Sequence, residues 1–188
     1  MSEKDEKLEA QLREAVNPSY EGGRRRIVFA AAGNAGGNAP MGWLASMSGV
    51  IAVHATDGLG AASNFNPTSL SGESFPTLGR DIQSNWKETG KRNPPKPIYL
   101  SGTSFATPIV AAIAADVLEW ARWNLKMTND QKKLLYSAGY MKKVFAKMMQ
   151  PRFNIHYIQP WTLWERGWDN GCGQVKSVKD VLMEVIAS

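Results

Sequence analysis

Ser101-Gly102-Thr103-Ser104-Phe105-Ala106-Thr107-Pro108 is the stretch on which the rest of the chain turns. Tyr99-Leu100 leads into it, Ser101-Gly102 makes a tight turn, and a long apolar segment follows from about Ser104 to Leu125. A glycine turn that feeds straight into a helix puts Ser104 at the helix start. Unpaired backbone N–H groups and the helix dipole favour negative charge there. A serine so placed can attack a carbonyl while its own N–H holds the oxyanion that forms. Pro108 is expected in the first turn, where the N–H it lacks would have no partner. The plainer alternative is a Ser/Thr cap after a glycine turn.

Upstream, Ile27 to Ala32 is a continuous apolar run, too short for a globular helix and preceded by Gly22-Gly23 and three arginines. It reads as a buried parallel strand, and Val50 to Ala55 repeats its character. Glu3 to Val16 predicts a helix with Leu8, Leu12 and Val16 on one face, stopped by Asn17-Pro18-Ser19. Helix, strand, loop and strand in this order imply a layered α/β domain. Asp57 to Pro97, rich in Gly, Ser, Asn and Pro, is expected to be mostly surface loop. Such a long loop in a compact domain implies a job for it.

Downstream, Ala111 to Ala115 is apolar on all sides, so its helix is expected to be buried all round. Thr128 and Gln131 form a capping box for the next helix. Met141, Val144, Phe145, Met148 and Met149 define an apolar stripe opposite Lys142, Lys143 and Lys147. That stripe is better placed to dock on the domain than to lie on a membrane. A tryptophan-rich loop follows (Trp161, Trp164, Trp168), then a last helix capped by Ser177 and ending near Ala187.

Composition bounds the function. With 188 residues, 43% hydrophobic and 21% charged, the chain can build a real core. A net charge of +5 permits weak attraction to anions, but the excess sits in Arg24-Arg25-Arg26 and one amphipathic segment, so no nucleic-acid partner is expected. The single cysteine, Cys172, excludes an internal disulfide and reads as a structural thiol. Ser2 to Glu9 is charged where a signal peptide would be apolar, which favours the cytoplasm. No run reaches the length expected of a segment that crosses a bilayer. No spacing of Cys, His, Asp and Glu suggests a metal, and no cofactor is expected. Gly33-Asn34-Ala35-Gly36-Gly37 lacks the Lys-Ser/Thr of a phosphate loop.

The string from Ser101 to Pro108 resembles the nucleophile motif of the subtilisin-like serine peptidases, the subtilases. Ala30-Ala31-Ala32-Gly33-Asn34, at the end of the Ile27 strand, is similar to that family's oxyanion motif. By itself Asn34 is equally a turn residue in a glycine-rich loop. Order adds weight: Val50-Ile51-Ala52-Val53, the Asp57 to Pro97 loop, and Leu78-Gly79-Arg80-Asp81-Ile82 fall as the family has them. The likeness covers about residues 5 to 125. It implies a partial subtilisin-like parallel sheet flanked by helices over residues 1–126, with a helical, tryptophan-rich carboxyl-terminal extension over 127–188.

What the resemblance implies for function is a serine endopeptidase acting on a peptide or protein substrate. Ser104 is then the nucleophile and Asn34 the oxyanion donor. Ala30, Ala31, Ala32 and Gly33 floor the primary specificity pocket, with Ala35 at its rim. The family's Asp and His motifs lie upstream of the oxyanion strand, and neither string occurs here. Of the two histidines, His54 stands at a structural strand end and His156 lies beyond the nucleophile helix. The expectation is therefore a truncated chain, inactive alone, whose partner is the missing amino-terminal half. The alternative is a catalytically dead remnant that works as a binding module.

Overall fold

Strand β2 (Val50–Val53) is buried on both faces, and the alternation of its side chains shows how the layers are stacked. Val50 and Ala52 pack with Ala30, Ala45 and Met47, covered by Leu12 and Val16. Those two come from helix α1 (Glu3–Val16). Ile51 and Val53 point the other way and join the larger core with Ala106, Val110, Ala114 and Val117. Those four belong to helix α2 (Thr103–Asn124). A period-2 strand between two helices gives the helix–sheet–helix layering expected of an α/β domain. Leu8 is half exposed and contributes little to its helix's packed face.

This computed structural model describes residues 3–16, 26–68, 74–85, 97–153, 155–164, 168–169 and 175–188. The expectations placed on Cys172, Asn17-Pro18-Ser19, Gly22-Gly23 and Arg24-Arg25 lie outside those residues. Strand β1 (Val28–Ala31) runs parallel to β2, in register from Val28 opposite Val50 to Ala31 opposite Val53. Among the described residues β1 is paired along that one edge alone. The chain then runs through β3 (Ala55–Thr56), whose parallel neighbour is β4 (Thr77–Leu78).

The stretch read as surface loop is not all loop. Phe75, Pro76, Thr77 and Gly79 are buried. Phe75 N–H donates to the Ala52 carbonyl and Thr77 N–H to that of His54, so residues 74–78 line up along β2 and β3. After β4 come β5 (Ile82–Asn85) and its antiparallel partner β6 (Pro97–Leu100), which delivers the chain to α2.

Helix α2 is buried on one side only. Val110, Val117 and Ala121 are fully buried, but Ala112 and Ala115 are exposed, which corrects the expectation that Ala111 to Ala115 is enclosed. Alanine carries too little apolar area to enforce burial, so a run of it does not fix a face. By length and composition α2 could cross a bilayer, contrary to the sequence expectation. Here it is the core helix of the layered domain, with Asp116, Glu119 and Arg122 exposed.

Met127, Leu135, Ile158, Leu163 and the buried faces of two further helices join the same core as α2. Thr128 and Gln131 cap α3 (Asn129–Leu135) reciprocally, as their spacing predicts. Met141, Val144, Phe145 and Met148 of α4 (Ala138–Met148) are fully buried, while Met149 begins a strand. Phe145 is the hub, 5.6 Å from Phe75 and 6.3 Å from Phe29 between ring centroids. The hairpin of β7 (Met149–Arg152) and β8 (Ile155–Ile158) is tied to the β3–β4 layer by Ile158 N–H on the Pro76 carbonyl at 2.9 Å. Trp161 and Trp164 form a short helix, α5, not loop. The last helix, α6 (Val178–Ala187), carries the predicted Ser177 cap and buries Val181, Leu182, Val185 and Ile186.

Candidate active site

Three elements converge on the start of α2. Strand β1 ends at Ala31, and the chain then passes through Gly33 at φ +119°, a left-handed conformation that glycine adopts without strain. That bend turns Asn34 out of the strand line. From the other side, β6 and Ser101-Gly102 bring Thr103 and Ser104 into the helix.

Thr103 joins the two arms across 69 residues of sequence. Its N–H donates to Asn34 Oδ1 at 2.9 Å, and its hydroxyl lies 3.1 Å from the same oxygen. Gly33 N–H donates to that hydroxyl at 3.1 Å. A backbone N–H can only donate, so the amide atom facing it is the oxygen. Asn34 Nδ2 is consequently the end turned away from Thr103, and it has no hydrogen-bond partner among the described residues. Gly102 makes room for it, since a Cβ there would stand 3.2 Å from Nδ2.

Ser104 is exposed, and neither its hydroxyl nor its N–H has a partner among the described residues. The first turn of α2 holds no acidic side chain, and Gly102 offers no side-chain cap. No charged side chain of the helix therefore offsets its positive end beside the hydroxyl, although Asn34 Oδ1 takes up the Thr103 N–H. Pro108 lies beyond the first turn because α2 already starts at Thr103, so the earlier rationale for it fails. Its missing N–H instead denies the Ser104 carbonyl its i+4 helical bond. Chemically, the arrangement offers an accessible hydroxyl with two idle N–H donors nearby, the equipment for holding a developing oxyanion.

The residues expected to floor a pocket surround this point unevenly. Ala30 and Ala32 are buried, Ala31 and Gly33 are partly exposed, and Ala35 is exposed. Gly42 N–H donates to the Ala32 carbonyl at 2.7 Å and folds the next loop back against this segment. Gly36 N–H on the Phe65 carbonyl at 2.9 Å fixes the far side.

Neither histidine is poised as a base. His54 is buried, its Nε2 donates to the Pro67 carbonyl at 3.2 Å, and its Nδ1 accepts from Ser74 Oγ at 2.7 Å. Burial holds its pKa below the usual imidazole value, with the Pro67 bond partly opposing that shift. His156 is exposed on β8, opposite Pro151. Among the described residues no group of three or more His, Cys, Asp or Glu could hold a metal.

The model of the subtilase family matches residues 2–157, and the chain belongs to that family of subtilisin-like serine peptidases. The match extends past residue 125, where the sequence likeness ends, and takes in α3, α4, β7 and β8 as far as Tyr157. The minor extracellular protease Epr of Bacillus subtilis (strain 168) is 32% identical over 134 residues, 68% of this chain and 19% of that protein. Among solved structures, a mutant of the protease domain of PatA gives a TM-score of 0.53 at 26% identity, over 73% of this chain and 46% of that one. The prenylagaramide maturation protease PagA shares the fold, with a TM-score of 0.51 at 21% identity over 86% of this chain and 50% of that one. The chain thus spans half or less of the length of these relatives.

Sequence reasoning missed Thr103. A threonine next to the serine reads as one more capping residue, and nothing local reveals a partner 69 positions away. Complete burial of a polar residue beside an exposed one is the structural signal.

Proposed function

We propose that the chain carries the nucleophile and oxyanion half of a serine endopeptidase site. The observation that carries this reading is the pair of idle donors, Ser104 N–H and Asn34 Nδ2, held at the helix start that exposes the Ser104 hydroxyl. Ser104 Oγ attacks the peptide carbonyl carbon, and the two N–H groups take up the charge on its oxygen. A histidine accepts the serine proton and passes it to the departing amine, leaving an acyl-enzyme that water hydrolyses. With His54 occupied by Pro67 and Ser74, that histidine and its orienting aspartate come from polypeptide outside these 188 residues. The amino-terminal half of the same domain is the natural source, given how much of each relative lies outside this chain.

The small apolar segment Ala30–Ala32, with Ala35 at the rim, offers Lys or Arg no carboxylate. Burying an apolar side chain there gains about 25 cal/mol per Å². Substrates with an apolar or aromatic residue before the cleaved bond are favoured.

The occupied His54 also favours a second reading, a catalytically dead subtilase remnant that binds peptides. One experiment separates the two. The chain alone and the chain with its flanking polypeptide are assayed on a peptide library, each with a Ser104→Ala control. The enzyme reading requires Ser104-dependent cleavage after apolar residues in the longer protein. The chain alone should fall short of it by up to about 10⁶-fold, the cost of losing the histidine in subtilisin. Turnover that survives Ser104→Ala, or none in the longer protein, overturns it. Dominant cleavage after Lys or Arg overturns the pocket assignment.

A further inference from the structure

The segment that carries Asn34 lies between β1 and the short helical turn Leu44–Ser46, with no strand or helix of its own to hold it. A second loop, residues 63–68, backs it. Gly36 N–H donates to the Phe65 carbonyl at 2.9 Å and Thr68 N–H to the Ala39 carbonyl at 3.3 Å. Thr68 Oγ1 donates to the Gly37 carbonyl. Pro67 stands behind Gly33, where a Cβ would come within 4.0 Å of its ring.

His54 holds the far end of that backing loop. A carbonyl can only accept, so Nε2 carries the proton toward Pro67, and the neutral ring leaves Nδ1 to accept from Ser74 Oγ. Both nitrogens of this buried ring are therefore used, one on Pro67 and one on Ser74. Asn66 holds the near end separately, its amide bonded to the Ala55 N–H and carbonyl at 2.9 and 2.7 Å. A second proton on the ring would have to go on Nδ1. Ser74 Oγ would then meet an N–H in place of a lone pair, and a charge would stand buried. Residues 27–53, 61–68 and 74–79 carry no charged side chain to meet it. The nearest charges along the chain are Asp57, whose carboxylate accepts from the Leu59 and Ala61 N–H groups, Glu73, and the Arg80–Asp81 pair. On α1, Glu9 and Arg13 pair with each other.

We propose that His54 is a positioning residue for the oxyanion segment: its neutral ring clamps Pro67 and Ser74 together, and acid releases the clamp and with it the backing of Asn34. The inference rests on the reading of Asn34 as an oxyanion donor. His54 touches neither the substrate nor Asn34 in this scheme; it acts through residues 65–68. Part of the acid limb of activity then belongs to this chain, and not all of it to the base supplied from outside.

The 188-residue chain, which lacks that base, isolates the effect. In the ¹⁵N-labelled chain near neutral pH, the His54 ring should be protonated at Nε2 alone, and the Gly36 and Thr68 amides should be protected from exchange. At about pH 5 His54 should be charged. Exchange at both amides, corrected for its intrinsic pH dependence, should then be about ten- to a hundredfold faster, the range for leaving a buried partner unpaired. His54→Gln, whose amide can still donate to Pro67 but cannot titrate, should remove that step, and His156→Gln should keep it. In the peptidase-active longer protein, the acid limb of kcat should be steeper in wild type than in His54→Gln, with KM unchanged. His54→Leu should lower kcat near neutral pH about tenfold, short of the 10²- to 10³-fold of losing an oxyanion donor outright, and His54→Gln should restore most of it. Exchange at Gly36 and Thr68 that shows no such step in wild type, or a step that persists in His54→Gln, overturns the proposal. If the step is present while Asn34→Ala leaves kcat unchanged, the clamp stands and the oxyanion reading of Asn34 fails.

Discussion

Adding one methyl group at Gly79 should unsettle the join between the sheet and the nucleophile helix. A Cβ there would stand 2.8 Å from Ala55 Cβ, 2.9 Å from Ala106 Cβ and 3.0 Å from the Gly102 carbonyl oxygen. None of these atoms can rotate aside, since two are fixed to the backbones of β3 and α2 and the third is backbone itself. Carbon atoms rest about 3.5–4.0 Å apart, so roughly 1 Å must open between packed elements. Overpacking of this kind costs about 1–3 kcal/mol, and three rigid walls place Gly79→Ala at the upper end. Loss of unfolded-state freedom returns up to about 1 kcal/mol, leaving a net destabilisation of about 2 kcal/mol. For a chain of this size that lowers Tm by about 4–8 °C. Urea and thermal melts of the purified chain measure it. Ala106→Gly, which costs about 1 kcal/mol alone in a helix, should partly rescue the variant because it removes one wall. Gly79→Ala within about 0.5 kcal/mol of wild type would refute the argument, since surface substitutions fall in that range.

Two further outcomes follow from packing and charge. Phe145→Ala empties the hub between Phe29 and Phe75 and should cost about 3–5 kcal/mol in the same melts, against less than about 1.5 for Phe145→Leu if the site repacks. His54 has a folded-state pKa below its unfolded value of about 6.5, so the unfolded chain binds the extra proton. Its contribution is complete above that pH and is lost as pH falls below it, through the folded value. His54→Asn should flatten the slope of stability between pH 7 and 5, and an unchanged slope would show that other groups set it.

Much of the architecture is written locally. The apolar runs at Val28 and Val50, the Thr128–Gln131 box and the Ser177 cap each depend on residues within one element, and each forms as its pattern requires. What the pattern hid is non-local. Thr77–Leu78 is too short to show alternation and sits among glycine, serine and proline; it becomes a strand because β3 already offers an edge. The exposure of Ala112 and Ala115 was equally hidden, for alanine suits a core and a surface alike. The β7–β8 hairpin lies beyond residue 125, where the sequence likeness ends, yet Ile158 N–H donates to the Pro76 carbonyl and the match to the family reaches residue 157.

The same distinction divides the proposed chemistry. Holding an oxyanion needs donors fixed before the charge arrives, and rigidity comes from packing. Thr103, Gly33 and Gly102 fix Asn34 with contacts that begin and end inside this chain, so that part of the site can stand ready without help. Moving a proton needs a titratable group within hydrogen-bond reach of the Ser104 hydroxyl. Both nitrogens of the buried histidine are already engaged, and the other histidine lies exposed on β8. Strand β1 is paired along one edge among the described residues, and α2 leaves Ala112 and Ala115 uncovered beyond Ser104. A polypeptide that added a strand to that edge and a helix to that face would satisfy the unpaired backbone and cover the apolar surface.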